Sequence, residues 1–285
     1  MLPLLRLSPR QSLKVLHGLG ADWSRDRQWQ TVQPRYRSYF DRQLRCVMTA
    51  DLADWAGRSC YYWGRFFDLT HQAVLRQFLA PGDTYIDIGA NIGYQSLYAS
   101  RLVGPDGLVL SFEPNPATYA VLAGHVAINR IQNCRTFPLA LDEQAGEATL
   151  AHADRHSGSA SLRPLGQPAA GSATVAVRTG DQVLKDIVFP GRAFLKIDVE
   201  GFEQRVLLGL RDTLARVSAV AVEITPKWLN QLGGNAEDLH AYMRQAGFRP
   251  LVPSLRWRLG LWGAHLELAP RTQPDPEQHD LVFAR

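Results

Sequence analysis

The sequence predicts a doubly wound α/β fold with a mostly parallel sheet, preceded by an N-terminal accessory segment. Three observations predict it. From residue 76 onward, short apolar runs alternate with amphipathic helical stretches, as strands buried on both faces and covered by helices do. The run Asp83–Gly89 leads into two glycines four apart, Gly89 and Gly93, and the run Leu108–Glu113 ends in a lone glutamate twenty residues beyond Gly93. A chain of 285 residues with 46% hydrophobic and 20% charged residues is long and apolar enough to bury a large core.

The elements follow from local chemistry. Residues 1–75 form the accessory segment: a helix near Pro9–Leu19, then short strands and loops rich in Trp and Tyr. Those aromatics suit either a lid or a satellite core, and the core is the simpler reading. Residues 76–285 form the main domain. After the strand Asp83–Gly89 comes a helix over Gly93–Leu102, and Gly104-Pro105-Asp106-Gly107 turns the chain. Leu108–Glu113 is the second strand. Asn115 caps a helix with Pro116 in its first position, running to Asn129. Thr136–Leu141 reads as a third strand, Glu143–Ala153 as a turn and short strand, and Asp154–Ser172 as a Gly/Ser/Ala-rich loop. Thr174–Arg178 alternates as a strand and Asp181–Ile187 is helical. Ala193–Val199 is a buried strand followed by a helix to Leu210, and Val217–Ile224 is another buried strand. A helix over Asn235–Ala246 stops at Gly247, and Phe248–Val252 and Asp280–Ala284 close the sheet.

Composition removes several classes. A net charge of +4 with scattered arginines does not mark a nucleic-acid binder. Three separated cysteines, Cys46, Cys60 and Cys134, form neither a disulfide framework nor a zinc site and suit the reduced thiols of a cytoplasm. No apolar run approaches the roughly 18–20 residues of a membrane span, and the N-terminus lacks a signal peptide's plan.

The loop Asp87-Ile88-Gly89-Ala90-Asn91-Ile92-Gly93 carries the first chemistry. A dinucleotide fingerprint needs glycine at its first, third and sixth positions, which here are Gly89, Asn91 and Tyr94. Only one fits, so a pyrophosphate on the helix N-terminus is disfavoured. S-adenosylmethionine has no phosphate, and a tight turn under its amino acid tail suffices. Gly89 lets the backbone approach a ligand, Gly93 lets the next helix pack closely, and Asp87 can compensate the ligand's ammonium directly or through water. Glu113 can accept hydrogen bonds from both ribose hydroxyls. Pro114 is placed to flank the adenine, and Asp142 with its backbone amide offers partners for the adenine edge, although Asp before a turn is also common for structural reasons.

The run Lys196-Ile197-Asp198-Val199-Glu200-Gly201-Phe202-Glu203 supplies the third motif. It puts Asp198 at the mouth of a central strand, where a site role outweighs a structural one, and Glu200 at the start of the next helix, where the dipole favours an acid. Glu223 is the matching acid on the neighbouring strand. Asp198, then Glu223 and His156, are the candidates for general base. His152 and His156 are four apart but flank a Gly/Ser loop, so they read as solvated histidines and not as metal ligands. A divalent ion on Asp198 and Glu223 could orient vicinal hydroxyls, but nothing in the sequence requires one.

Taken in order, these three motifs resemble the FkbM family of class I S-adenosylmethionine-dependent methyltransferases. The resemblance covers residues 60 to 225 and includes Gly158-Ser159-Ala160-Ser161-Leu162 and Arg178-Thr179-Gly180-Asp181. It implies a seven-stranded Rossmann-like sheet whose reversed last strand is Asp280–Ala284, and methyl transfer to a hydroxyl on a sugar, polyketide or other natural product. It implies that Asp87, Gly89, Asn91 and Gly93 form the cofactor loop and that Glu113 holds the ribose. Asp198 lies at the reacting centre near cofactor and acceptor, with Glu200 on the acceptor side. Transfer to a small-molecule or protein amine is the rival enzyme reading. Nucleobase amines are disfavoured because Asp198-Val199-Glu200-Gly201 stands where base methylases carry Pro-Pro-aromatic. A non-catalytic cofactor-binding scaffold and a nucleotide-dependent dehydrogenase are weaker alternatives. The acceptor's identity, and whether the chain is a monomer or a homodimer, are open at this level.

Overall fold

The computed structural model describes residues 33, 35–64, 66, 68–152, 160–161, 171–257, 264–271, 273, 275, 277 and 279–285. The helix expected at Pro9–Leu19 and the candidate base His156 lie outside them. The chain divides into two compact units that part between Leu69 and Thr70, ahead of the boundary read from composition.

The first unit is a hairpin and a helix. Strands β1 (Tyr36–Asp41) and β2 (Cys46–Asp51) pair antiparallel. The Asp41 carboxylate closes their turn by accepting from the Gln43 and Leu44 amides, both at 2.9 Å. Helix α1 (Trp55–Trp63) starts where Asp54 accepts from the Gly57 amide. The fully buried Arg58 donates to the carbonyls of Leu52 and Ala53, and Arg35 pairs with Asp51. Tyr61 meets Tyr39 and Tyr62 edge-on; Tyr39 and Tyr61 are half-buried, while Tyr36, Phe40 and Tyr62 stay exposed. This helix stands where short strands and loops are expected, because its apolar periodicity is weak.

The second unit begins inside α2 (Leu69–Phe78) and continues with β3 (Thr84–Ile88), α3 (Tyr94–Val103), β4 (Leu108–Phe112), α4 (Pro116–Ile128) and β5 (Cys134–Phe137). It continues with β6 (Ala140–Leu141), β7 (Gly146–His152), β8 (Ala160–Ser161), β9 (Gly171–Arg178), α5 (Gly180–Leu184) and β10 (Ala193–Ile197). The remainder is α6 (Glu203–Leu208), α7 (Arg211–Leu214), β11 (Val217–Ile224), α8 (Pro226–Gln231), α9 (Ala236–Gln245), β12 (Arg249–Trp257), β13 (Ala264–Pro270) and β14 (His279–Ala284). Asn115 caps α4 with Pro116 in the first position, and Asn235 caps α9, as their residue types dictate.

The main sheet has the order β13-β12-β14-β11-β10-β3-β4-β5. The five strands from β5 to β11 are parallel, β14 runs antiparallel to β11, and β12 and β13 follow as an antiparallel hairpin. Eight strands stand where seven were expected, because the chain after β12 folds back as β13 and extends the edge. The expected third strand also splits. Pro138 cannot donate to a ladder, so β5 ends at Phe137, and β6 joins β9, β7 and β8 in a separate four-stranded sheet.

Side chains alternate across the main sheet. Ile86, Ile88, Leu110, Phe112, Leu195, Ile197, Val220 and Val222 enter one core with Val206 and Leu207 of α6 and Leu239 and Met243 of α9. The opposite face carries Asp87, Ser111 and Lys196 in one row, since Asp87 stands opposite both Ser111 and Lys196 in the ladders. Strand order reverses at β3: β4 and β5 lie to one side, β10 and β11 to the other. Ligands of such sheets bind outside the carboxyl ends of the strands at this switch point.

One buried group opposes the fold's acid stability. His240 on α9 is fully buried, packs edge-on against Phe283, and both ring nitrogens lack a hydrogen-bond partner among the described residues. Burial, then the nearby cations Arg244, His279 and Arg271, push its pKa from 6.5 down to about 4. The unfolded chain therefore binds this proton first on acidification, and stability must fall as pH drops from 6.5 towards about 4. We expect His240→Leu to remove a pH-dependent loss on the order of 2 kcal/mol, read from urea midpoints at pH 7 and pH 4.5. Identical slopes in variant and wild type would refute it.

Candidate active site

The site assembles at the carboxyl ends of β3, β4, β10 and β11. Beyond β3 the chain turns at Gly89 and Gly93, with φ of 78° and 92°, and at Asn91, with φ of 50°. Glycine is required at the first two for different reasons. A Cβ on Gly89 would lie 1.9 Å from the Asp198 carbonyl oxygen, and one on Gly93 would lie 2.5 Å from Leu122 Cδ1 of α4. Gly93 thus makes room for α4, and not chiefly for the helix that follows it, whereas the missing Cβ of Gly89 makes room for the end of β10. The Gly89 and Ala90 amides donate to the Phe112 carbonyl, and His125 Nδ1 of α4 donates to the Ile92 carbonyl at 2.8 Å. The loop is held from two sides. Asn91 caps its own turn, its Oδ1 accepting from the Ile92 amide.

Glu113 leaves β4 with its carboxylate over this loop. Oε2 accepts from the Asn91 amide and Oε1 from the Asn115 amide, each at 2.9 Å. A carboxylate has about four lone-pair positions, so each oxygen retains one. Burial raises its pKa to about 7, against the lowering effect of the Asn115 and Asn91 amides. Pro114 is half-buried and Asn115 is occupied in capping α4.

Asp87 is held by protein groups. Its side chain is fully buried and faces the sheet, where Ser96 Oγ donates to Oδ2 at 2.5 Å and Lys196 Nζ lies 3.3 Å from Oδ1. Ser111 Oγ donates in turn to Ser96 Oγ. The strand's two-residue period turns this acid inward and not out at the strand end, so its charge meets Lys196 and no ligand ammonium directly. Asp142 is also committed. Arg205 of α6 donates to both carboxylate oxygens at 2.8 Å, and the Asp142 amide donates to the Arg178 carbonyl. Both oxygens of the carboxylate expected at the adenine edge are thus engaged by Arg205, and Oδ2 retains one lone pair.

Asp198 follows β10, its side chain 35% exposed, with Lys196 Nζ 3.2 Å from Oδ2. Glu200 is not at a helix start. It has φ of 57° and Gly201 has φ of 104°, a left-handed pair that delays α6 until Glu203. Glu203 is the acid in that first turn. Only 2% exposed, it accepts from the Gly201 amide through Oε1 at 2.8 Å, while Oε2 has no hydrogen-bond partner among the described residues. Burial pushes its pKa up to about 7. Glu223 lies one residue beyond Val222, the partner of Ile197 in the ladder, and so stands beside Asp198. Among the described residues no group of three or more His, Cys, Asp or Glu could hold a metal ion.

Lys196, His125 and Glu203 had no role in the sequence reading. The available signal for Lys196 was a cation inside an otherwise apolar strand. Glu203 showed only as one of three acids in six residues, and nothing marked His125.

The Methyltransferase FkbM domain matches residues 87–250 of this chain. The 31-O-demethyl-FK506 methyltransferase FkbM of Streptomyces tacrolimicus is 30% identical over 224 residues, 68% of this chain and 83% of the relative. The hexuronic acid methyltransferase AglP of Haloferax volcanii is 29% identical over 191 residues, 64% of this chain and 75% of the relative. The crystal structure of methyltransferase FkbM from Methylobacillus flagellatus superposes with a TM-score of 0.43 at 15% identity, covering 93% of this chain and 60% of that one. With the domain match spanning the β3 loop, Glu113, Asp198 and Glu223, the chain belongs to the FkbM family of S-adenosylmethionine-dependent methyltransferases.

Proposed function

We propose that the protein methylates a hydroxyl on a sugar, glycan or natural-product acceptor. The observation that carries the cofactor half is Glu113, a buried carboxylate at the end of β4 with acceptor capacity left after two backbone bonds. The β3 loop from Gly89 to Gly93 would cradle the amino acid tail, Glu113 would hold both ribose hydroxyls, and Pro114 would border the adenine. When bound, S-adenosylmethionine supplies an already activated methyl group. The chain's own residues then have to align the acceptor oxygen, exclude water and take up the hydroxyl proton. Asp198 is the acid placed for that last task, partly exposed at the strand end, with Glu223 beside it. The oxygen position in the name of the FK506 relative, and the sugar acid in that of the archaeal one, support an oxygen acceptor. No helix among the described residues is long and apolar enough to cross a membrane, and the three cysteines are unbridged, which supports a reducing cytoplasm.

Calorimetric titration with S-adenosylmethionine, S-adenosylhomocysteine and NAD tests the reading. Micromolar or tighter binding of the first two is expected, and binding of NAD alone would sink it. The pKa of Glu113 adds a sign. Its carboxyl is neutral below about 7 in the free protein, and only the anion accepts from both hydroxyls. Affinity for S-adenosylhomocysteine should therefore rise about tenfold between pH 6 and pH 8, and Glu113→Gln should flatten that rise.

A further inference from the structure

Lys196 is 7% exposed and lies in the ladder between the apolar Leu195 and Ile197. A buried ammonium carries a desolvation cost that a leucine or methionine of similar volume would avoid. Its partners show what the charge does. Nζ donates to the Gly89 carbonyl at 2.8 Å and lies 3.2 Å from Asp198 Oδ2 and 3.3 Å from Asp87 Oδ1. A buried ion pair would need Asp87 alone. The other two contacts join the β3 loop to the end of β10, the two elements that flank the switch point. Burial works against the ammonium, but Asp198 and Asp87, with Glu223 further off, hold its pKa above the ordinary lysine range. Lys196 is thus a fixed cation directly under the Gly89 carbonyl.

We propose that Lys196 is a positioning residue that clasps the cofactor loop to Asp198 and sets how strongly the site prefers the sulfonium cofactor over its thioether product. The inference rests on the cofactor reading above. S-adenosylmethionine carries one positive charge more than S-adenosylhomocysteine. Asp87, Asp198 and Glu223 attract that charge, and Lys196 offsets part of the attraction, which narrows the gap in affinity between the sulfonium cofactor and its thioether product. Taking the ammonium away makes the site one unit more negative. In a medium of effective dielectric near 20, one charge added to a buried site changes such a preference by a factor on the order of ten.

The test is calorimetric titration of the full chain with each ligand at pH 8, for wild type, Lys196→Met, Lys196→Arg and Asp198→Asn. Lys196→Met should bind S-adenosylhomocysteine at least tenfold more weakly, because the clasp is gone. It should lose much less affinity for S-adenosylmethionine, so the ratio of the two Kd values shifts about tenfold towards the sulfonium. Lys196→Arg, keeping the charge, should restore most of the wild-type ratio. Equal losses for both ligands would mean a purely structural lysine, and no loss would mean no clasp; either overturns the proposal. Should Lys196→Met fail to fold, Asp198→Asn decides: with the lysine kept and one acid neutralised, the ratio must move the opposite way, and an unchanged ratio overturns the proposal. A wild type that binds neither ligand refutes the cofactor reading itself, and the role of Lys196 with it.

Discussion

Replacing Glu113 by Ala should weaken cofactor binding by at least 100-fold, the largest loss expected of any side chain at this site. Two charge-assisted hydrogen bonds to the ribose go, at about 1.5–3 kcal/mol each. The amides of Asn91 and Asn115 lose their acceptor at the same time, in a loop where Asn91 already sits at φ of 50°. The ordering those bonds provide must then be supplied by the ligand. Together these terms come to about 3 kcal/mol or more, which at 1.4 kcal/mol per decade exceeds two orders of magnitude. Glu113→Gln keeps one oxygen acceptor and should fall between. Titration with S-adenosylhomocysteine reads the effect, and circular dichroism checks that the sheet persists. Near-wild-type affinity in the alanine variant would mean the ribose is held elsewhere.

Gly89→Ala should be as damaging by a different route. Two costs combine there: a left-handed φ of 78°, and a Cβ driven to 1.9 Å from the Asp198 carbonyl oxygen. Gly64 separates them, because it is left-handed with φ of 63° and has nothing within 4 Å of where its Cβ would go. Gly64→Ala should therefore show the backbone term alone, about 1–2 kcal/mol. Gly89→Ala should cost about 3–5 kcal/mol in urea unfolding and abolish cofactor binding, since the obstacle is backbone and cannot rotate away. If both variants lost the same stability, the close approach of β10 to the loop would not be what requires glycine there.

Much of this was legible in the chain because its signals are local. The Gly89 and Gly93 turns, the Asn115-Pro116 cap and the acids at the strand ends announce themselves within a few residues, and β11 lies at Val217–Ile224 as its apolar run indicates. The errors lie where partners are distant or where direction matters. Asp87 belongs to the site, but a strand's alternation aims it inward at Lys196, 109 residues away by numbering. Asp142 looked open until Arg205, on a helix 63 residues later, took both its oxygens. Glu200 looked like the start of a helix, and only the left-handed pair it forms with Gly201 moves that start to Glu203. The second sheet was missed because β6 and β8 are two residues each and because β7 and β9 find each other across the stretch between them. Pro138, in plain sight, was the sign that the third strand had to break.

The position of β14 has a consequence for how the molecule is made. It pairs with β11 on one side and β12 on the other, although it follows both in the chain. Until β14 forms, β12 and β13 are a detached hairpin and β11 presents an unpaired edge open to any passing strand. Docking β14 must also close a loop back to residues some 60 positions earlier, an entropic cost that comes before its contacts can offset it. Sheet closure is therefore expected late in folding. Removing β14 should leave a chain that clumps with others of its kind at the exposed edges, even though its parallel half still carries every residue of the proposed site.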